Sequence, residues 1–258
     1  MSSATGFDAS LFADRSIAVV GAGSGIGRTC ASHLASLGAS VACLDLVLDS
    51  AEATACQIVA DGGTAWAGMI DVTQVDSVSE VMADTINRFG VLDGLLNTAG
   101  ITGTTNISAH EVDVNEFDHV YRVNLRGALL LTQAVIPHMV ERNYGRIVHF
   151  SSIAGKDGNA GMTSYSATKA GLIGLVKTMG KEYATNGITI NAVAPAVVQT
   201  PMVDALPQAQ IDYMTEKIPM GRTGGLQEAA HVAAFALSSM CSFTTGFTFD
   251  LTGGRAVY

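Results

Sequence analysis

The chain is short of basic residues, of paired cysteines and histidines, and of long apolar runs, and each shortage removes a class of function. Its 14 Lys and Arg against 23 Asp and Glu leave a net charge of −9, which repels nucleic-acid phosphates and anionic lipid headgroups. Neither nucleic acid nor a membrane is therefore expected as a partner. The four cysteines, Cys30, Cys43, Cys56 and Cys241, show no CxxC spacing, so reduced, buried thiols are expected. The six histidines include no HxxxH pair, and no metal site is expected. The first 16 residues carry Asp8 and Asp14 without the basic start and apolar centre of a signal peptide. The apolar run GALLLTQAVIPHMV is interrupted by Thr132, Gln133, Pro137 and His138, too polar a stretch to cross a bilayer. A soluble, cytoplasmic protein is the expectation. There is also no internal repeat, low-complexity segment or linker.

What the chain does have is 258 residues of 48% hydrophobic composition, enough to bury the core of one α/β domain spanning 1–258. Short β-rich runs alternate with helix-length segments: SIAVVGAG, SVACLDL, TAWAGMIDV, DGLLNTAG, RIVHFSS, ITINAVAP and GFTFDLTGG read as strands with their exits. Strands apolar on both faces and separated by helices predict a doubly wound α/β fold, a seven-stranded, mostly parallel sheet with helices on both faces. One connection is long. From Gln199 to Gly225 the chain carries Pro201, Pro207 and Pro219 around the helical-looking PQAQIDYMTEKI, and a lid insertion at about 199–225 is expected over the strand ends.

The first strand exits into VGAGSGIGRTCASHLASLG, placing Gly21, Ser24, Gly25, Ile26 and Gly27 ahead of an alanine-rich helix. Glycines let a backbone turn tightly against a pyrophosphate, and the following helix N-terminus favours its charge. The spacing is GxxxGxG rather than GxGxxG. Asp45 ends the second strand 20 residues after Gly25, where a carboxylate accepts from both ribose hydroxyls and repels a 2′-phosphate. With Ser24 rather than a basic residue in the loop, NAD is favoured over NADP; the direction of Arg28 is left open. Asp71 and Val72, then Asn97, Ala99 and Gly100 of NTAG, then Ser151 and Ser152 stand at the next three strand ends, where open α/β sheets bind ligands.

Tyr165 and Lys169 in SYSATKAG stand four apart, on one face of a helix. A phenol is a poor base at neutral pH, and a nearby ammonium is expected to lower its pKa, with the positive nicotinamide of NAD adding to the effect. Ser152 brings a hydroxyl to the same crevice for a substrate carbonyl or developing alkoxide. Asn124, in YRVNLRG, is read as an amide that bends its helix and holds a water near Lys169.

Taken together, GAGSGIG, NTAG, Asn124, Ser152, YSATK and NAVAPAVVQT resemble the short-chain dehydrogenase/reductase family over nearly the whole chain. The resemblance implies a Rossmann-type domain and a tetrad: Tyr165 as general base, Ser152 orienting the substrate oxygen, Lys169 also holding the nicotinamide ribose, and Asn124 anchoring a proton-relay water. It implies cofactor contacts from the segment Pro195 to Thr200, Val198 included. Val20, Thr98 and Ala196 depart from the family pattern, and Thr98 puts a structural hydrogen bond in doubt. The combination SSIAGKDGN, INAVAPAVVQTPM and SFTTGFTFDLTGGRAVY is similar to a branch that oxidises 2-keto-3-deoxy sugar acids derived from L-rhamnonate or L-fuconate. An acidic substrate needs a local cation, and Lys156, Arg222 and Arg255 are the candidates, with Asn159 and Ala196 as further substrate-lining positions. A reductase of 3-oxoacyl thioesters and a noncatalytic NAD-binding regulator are the rival readings. A homotetramer is expected, and Gly171, Gly174 and Gly180 on the tyrosine helix suit either such an assembly or packing within the chain.

Overall fold

The computed structural model describes residues 7–200, Val203, Asp212 and 215–256. Seven strands form one sheet: β1 (Ser16–Val20), β2 (Ser40–Asp45), β3 (Thr64–Met69), β4 (Gly94–Asn97), β5 (Gly145–Phe150), β6 (Ile188–Pro195) and β7 (Thr248–Leu251). Their order is β3-β2-β1-β4-β5-β6-β7, and every pairing is parallel. The helices between them are α1 (Gly25–Ser36), α2 (Leu48–Ala60), α3 (Val75–Phe89), α4 (Val114–Tyr121), α5 (Gly127–Arg142), α6 (Ala154–Asp157), α7 (Thr163–Glu182) and α8 (Leu226–Leu237). None of the described helices is long and apolar enough to cross a membrane.

The strand composition dictates two cores. Side chains alternate across a strand, and here both faces are apolar. Ile17, Val19, Val41, Cys43 and Leu96 pack with α1, α2 and α8, whereas Ala18, Val20, Ala42, Leu44 and Leu95 pack with α3, α5 and α7. Each fully buried leucine or valine contributes about 1.5–3 kcal/mol. The central strands β1, β4 and β5 are buried along their whole length, while edge strands β3 and β7 are partly open.

Cys30, Cys43 and Cys241 are buried free thiols as expected, but Cys56 is exposed, because it falls on the solvent side of α2. Two of the three tyrosine-helix glycines serve the chain's own packing. A Cβ on Gly171 would stand 2.7 Å from Leu125, and one on Gly180 would overlap the backbone of Gly246; only Gly174 faces open space.

Strand order reverses between β1 and β4, so the connections leaving them diverge and open a crevice at the carboxyl ends of the strands. Residues 201–202, 204–211 and 213–214 of the expected 199–225 lid, most of its helical-looking stretch among them, lie outside the described residues. Its two ends are pinned together: Gln199 N–H donates to Gly224 O (2.7 Å) and Gly224 N–H to Val197 O (2.9 Å).

Candidate active site

The crevice is a cleft of about 470 Å³, within the range of cofactor and ligand sites. Asp45, Leu46, Asp71 and Val72 line it together with the glycine turn, Gly100, Ile101 and Thr200. Two glycines show why the turn has this composition. A Cβ on Gly27 would overlap the carbonyl oxygen of Gly21, so α1 could not sit this close to β1. Gly25 has φ +49° and a Cβ there would meet only Thr200 Cγ2 at 3.8 Å, so glycine keeps open the space beside the α1 N-terminus. A short cradle backed by free N–H groups suits a pyrophosphate.

Asp45 closes this turn as well as lining the cleft. Its Oδ2 accepts from Gly23 N–H (2.8 Å) and its Oδ1 from Val47 N–H (3.0 Å). Arg28 folds back and donates to the carbonyl of Gly23, which answers the direction the sequence left open. Thr98 supplies the hydrogen bond that its replacement put in doubt: its hydroxyl donates to Val20 O at 2.8 Å, tying NTAG to the end of β1. Asp71 Oδ1 accepts from the N–H (2.9 Å) and hydroxyl (2.7 Å) of Thr73, shaping the turn after β3.

Asn97, Tyr165, Lys169, Pro195 and Val198 are expected cofactor residues that do not line the cleft; for Asn97 the reason is plain. Its side chain is buried, faces His149 at 3.2 Å and accepts from Ala99 N–H at 3.1 Å, so it builds the turn rather than the cleft wall. Pro195 and Val198 are likewise buried beside the cleft, Pro195 O accepting from Ile153 N–H at 2.9 Å. The cleft also takes in His119 and Val123, which sequence reasoning missed. His119 follows a long irregular connection after β4 and no motif marks it, while Val123 precedes Asn124 in YRVNLRG and its apolar side chain gave no signal of its own.

Behind Gly100 stand two of the four tetrad residues. A Cβ on Gly100 would lie 3.2 Å from both Asn124 Oδ1 and Lys169 Nζ. Asn124 is buried in a π-helical turn, Arg122–Arg126, that joins α4 to α5. The helical segment is thus locally widened at Asn124, where a bend was expected. The widened turn aims the amide inward, where it donates to Ile101 O (2.9 Å) and Thr168 Oγ1 (3.2 Å) and accepts from Ile101 N–H (2.9 Å).

Tyr165 and Lys169 share a face of α7, with Lys169 Nζ 5.6 Å from the centre of the tyrosine ring. Lys169 is buried, donates to Phe150 O at 2.7 Å, and burial pushes its pKa down to about 8. Ser152 is buried after β5, accepts from Ala154 N–H at 3.1 Å and hydrogen-bonds Tyr165. The expectation that the lysine lowers the phenol pKa fails for the chain's own groups. Burial raises it above 10, outweighing the opposing Ser152 hydrogen bond, because the ammonium is directed at the Phe150 carbonyl rather than at the phenol oxygen.

The three candidate cations for an acidic substrate are each engaged by carboxylates of the chain. Lys156 pairs with Asp250 (2.8 Å), Arg222 with Glu228 (2.8 Å), and Arg255 with Asp157 (3.1 Å) while also donating to Asn159 Oδ1 (3.0 Å). Arg222 is exposed. Ala196 is half-buried after β6, its N–H bonded to Leu251 O at 2.9 Å. Each of the three candidate cations is thus already paired within the chain.

The short chain dehydrogenase family model matches residues 15–211. The chain is 42% identical over 247 residues to a 2-dehydro-3-deoxy-L-rhamnonate dehydrogenase (NAD(+)) of Sphingomonas sp., covering 96% of this chain and 97% of that one. It is 35% identical over 239 residues to a 3-oxoacyl-[acyl-carrier-protein] reductase of Thermotoga maritima, covering 93% and 96%. The crystal structure of levodione reductase superposes with a TM-score of 0.91 at 33% identity, covering 96% of this chain and all of the other.

Proposed function

The chain belongs to the short-chain dehydrogenase family, and from that premise we propose that it oxidises a secondary alcohol of a small polar hydroxy acid to a ketone, using NAD. The substrate class is a 2-keto-3-deoxy sugar acid, supported by the likeness to the Sphingomonas enzyme. The observation that carries the reading is the pairing of a cleft lined by Asp45 and the glycine turn with Asn124 and Lys169, which stand close behind Gly100 of its wall. A carboxylate at the end of β2 suits a ribose diol and disfavours a 2′-phosphate.

In this reading Tyr165 takes the substrate hydroxyl proton while Ser152 orients the same oxygen. When bound, the nicotinamide ring supplies the hydride acceptor and a positive charge that burial alone withholds from the phenol. Lys169, anchored to Phe150 O, would hold the nicotinamide ribose. Asn124 bonds Ile101 and Thr168 through its amide, which fixes the π turn behind Gly100, and in this reading it anchors a proton-relay water. Assembly as a homotetramer belongs to the same proposal and draws support from the open edge of β7 and the exposed Phe243 and Phe247 just ahead of it.

The deciding experiment presents the purified protein and NAD+ with sugar acids, hydroxyacyl thioesters, polyols and hydroxysteroids. Saturable oxidation of a sugar acid supports the reading. Saturation by no acidic substrate would overturn it, and a preference for NADPH with 3-oxoacyl thioesters would favour the reductase likeness instead.

A further inference from the structure

His149, on β5 three residues before Ser152, is fully buried, and the mechanism above gives it no role. We propose that His149 is a positioning residue for the dinucleotide, holding Asn97 and through it the 97–100 turn that walls the cleft. The proposal rests on the NAD reading.

The ring's partners fix its tautomer. Thr132 donates its hydroxyl proton to Ala128 O at 2.9 Å, so toward the imidazole it offers only lone pairs, and Nε2, at 3.0 Å, carries the proton and donates. The other nitrogen, Nδ1, is then bare and accepts from the Asn97 amide nitrogen at 3.2 Å. That orients the amide so that its oxygen accepts from Ala99 N–H at 3.1 Å. One line of hydrogen bonds thus runs from α5 through the ring to the turn whose Ala99 and Gly100 line the cleft. The neighbouring Thr98 ties the same turn to β1, so the turn is held from both sides.

A proton on Nδ1 would set donor against donor at Asn97 and add a second buried cation near Lys169. Burial, with the Lys169 charge behind it, pushes the pKa of His149 down to about 3, so the ring stays neutral. The groups facing it are Lys169 from α7, Asn97 from β4 and Thr132 from α5; on β6 its register neighbour is the uncharged Ala192.

An apolar side chain could fill this volume but would leave the Asn97 amide without its buried partner. The turn would then have to be ordered on binding, which weakens cofactor affinity and spares the chemical step. Two substitutions separate these roles. His149→Asn can place a carboxamide oxygen near the position of Nδ1 and keep Asn97 bonded, whereas His149→Gln reaches toward Thr132 and gives up Asn97. NADH affinity, measured by calorimetry on folded protein, should stay within about twofold of wild type for His149→Asn and weaken about tenfold for His149→Gln, the loss of roughly one buried hydrogen bond. Equal affinities for the two variants would overturn the proposal.

A second readout is taken on the wild type, with His149→Asn used to identify the signal. With 15N-labelled histidine, the ring signal absent from His149→Asn should report a neutral Nε2–H tautomer between about pH 5 and 9 and shift on saturation with NADH. A charged ring, an Nδ1–H tautomer or no response to NADH overturns the proposal. Should wild type fail to bind NADH at all, the NAD reading itself falls, while the tautomer still tests the geometry on its own.

Discussion

At the ends of β1, β2 and β4 the crevice is built from backbone. Glycines permit close approach, N–H groups stay near a helix start, and Asp45 and Thr98 hold the turn together by bonding main-chain atoms. Beyond it, near the ends of β5, β6 and β7, stand side chains that already have partners: Lys169 on Phe150 O, Lys156 on Asp250 and Arg255 on Asp157. The difference teaches where specificity is set. A backbone site accepts any ligand of the right charge and shape, while a site of mutually satisfied side chains must exchange internal bonds for substrate bonds, and small changes there redirect the substrate.

The sharpest test of this division is Tyr165→Phe. Removing one hydroxyl from the β5–β7 half should lower alcohol oxidation by about a thousandfold or more, as expected for a lost general base, with NADH affinity unchanged in a parallel titration. Lost NADH binding would break the division. Lys169→Met should follow, with oxidation down about a hundredfold and an opposite effect on stability. The wild-type lysine falls from 10.5 in the unfolded chain to about 8 on folding. Below pH 8 both states carry the proton and the burial penalty is complete; between pH 8 and 10.5 the unfolded state holds more protons, so stability climbs with pH. The climb is about 3 kcal/mol for such a shift, and urea unfolding at either end of that range should show it in wild type and not in the methionine variant.

On the backbone side, Asp45→Ala should weaken NADH binding about 10- to 100-fold and erase the preference over NADPH, since it removes both the carboxylate and the Gly23 bond. Unchanged discrimination in paired titrations would remove Asp45 as the selector. The smallest effect is expected from Arg222→Ala. This exposed arginine is held by Glu228, and exposed pairs contribute little, so KM for an acidic substrate should move by less than about twofold. A large rise in KM would make Arg222 a substrate ligand despite its partner.

Much of this site can be read along the chain because the fold converts spacing into position. A glycine run after a strand, a carboxylate at the next strand end and a tyrosine four residues before a lysine need only the strand-helix alternation to converge. The contacts that escaped notice lack such a rule. His119 enters the cleft from a helix reached through an irregular connection, and His149 looks like one more residue of an apolar strand until Asn97 and Thr132 close around it.

Local pattern, then, determined the strands, their double-sided burial and the order of chemistry-bearing residues, since alternation and turn chemistry act over a few neighbouring positions. Only the folded chain decided that Tyr165 has its pKa raised rather than lowered, that Asn97 faces inward, and that Lys156, Arg222 and Arg255 are each bound to a carboxylate. Desolvation and ion pairing depend on groups far apart in sequence, such as Lys156 and Asp250, and no local pattern carries that information.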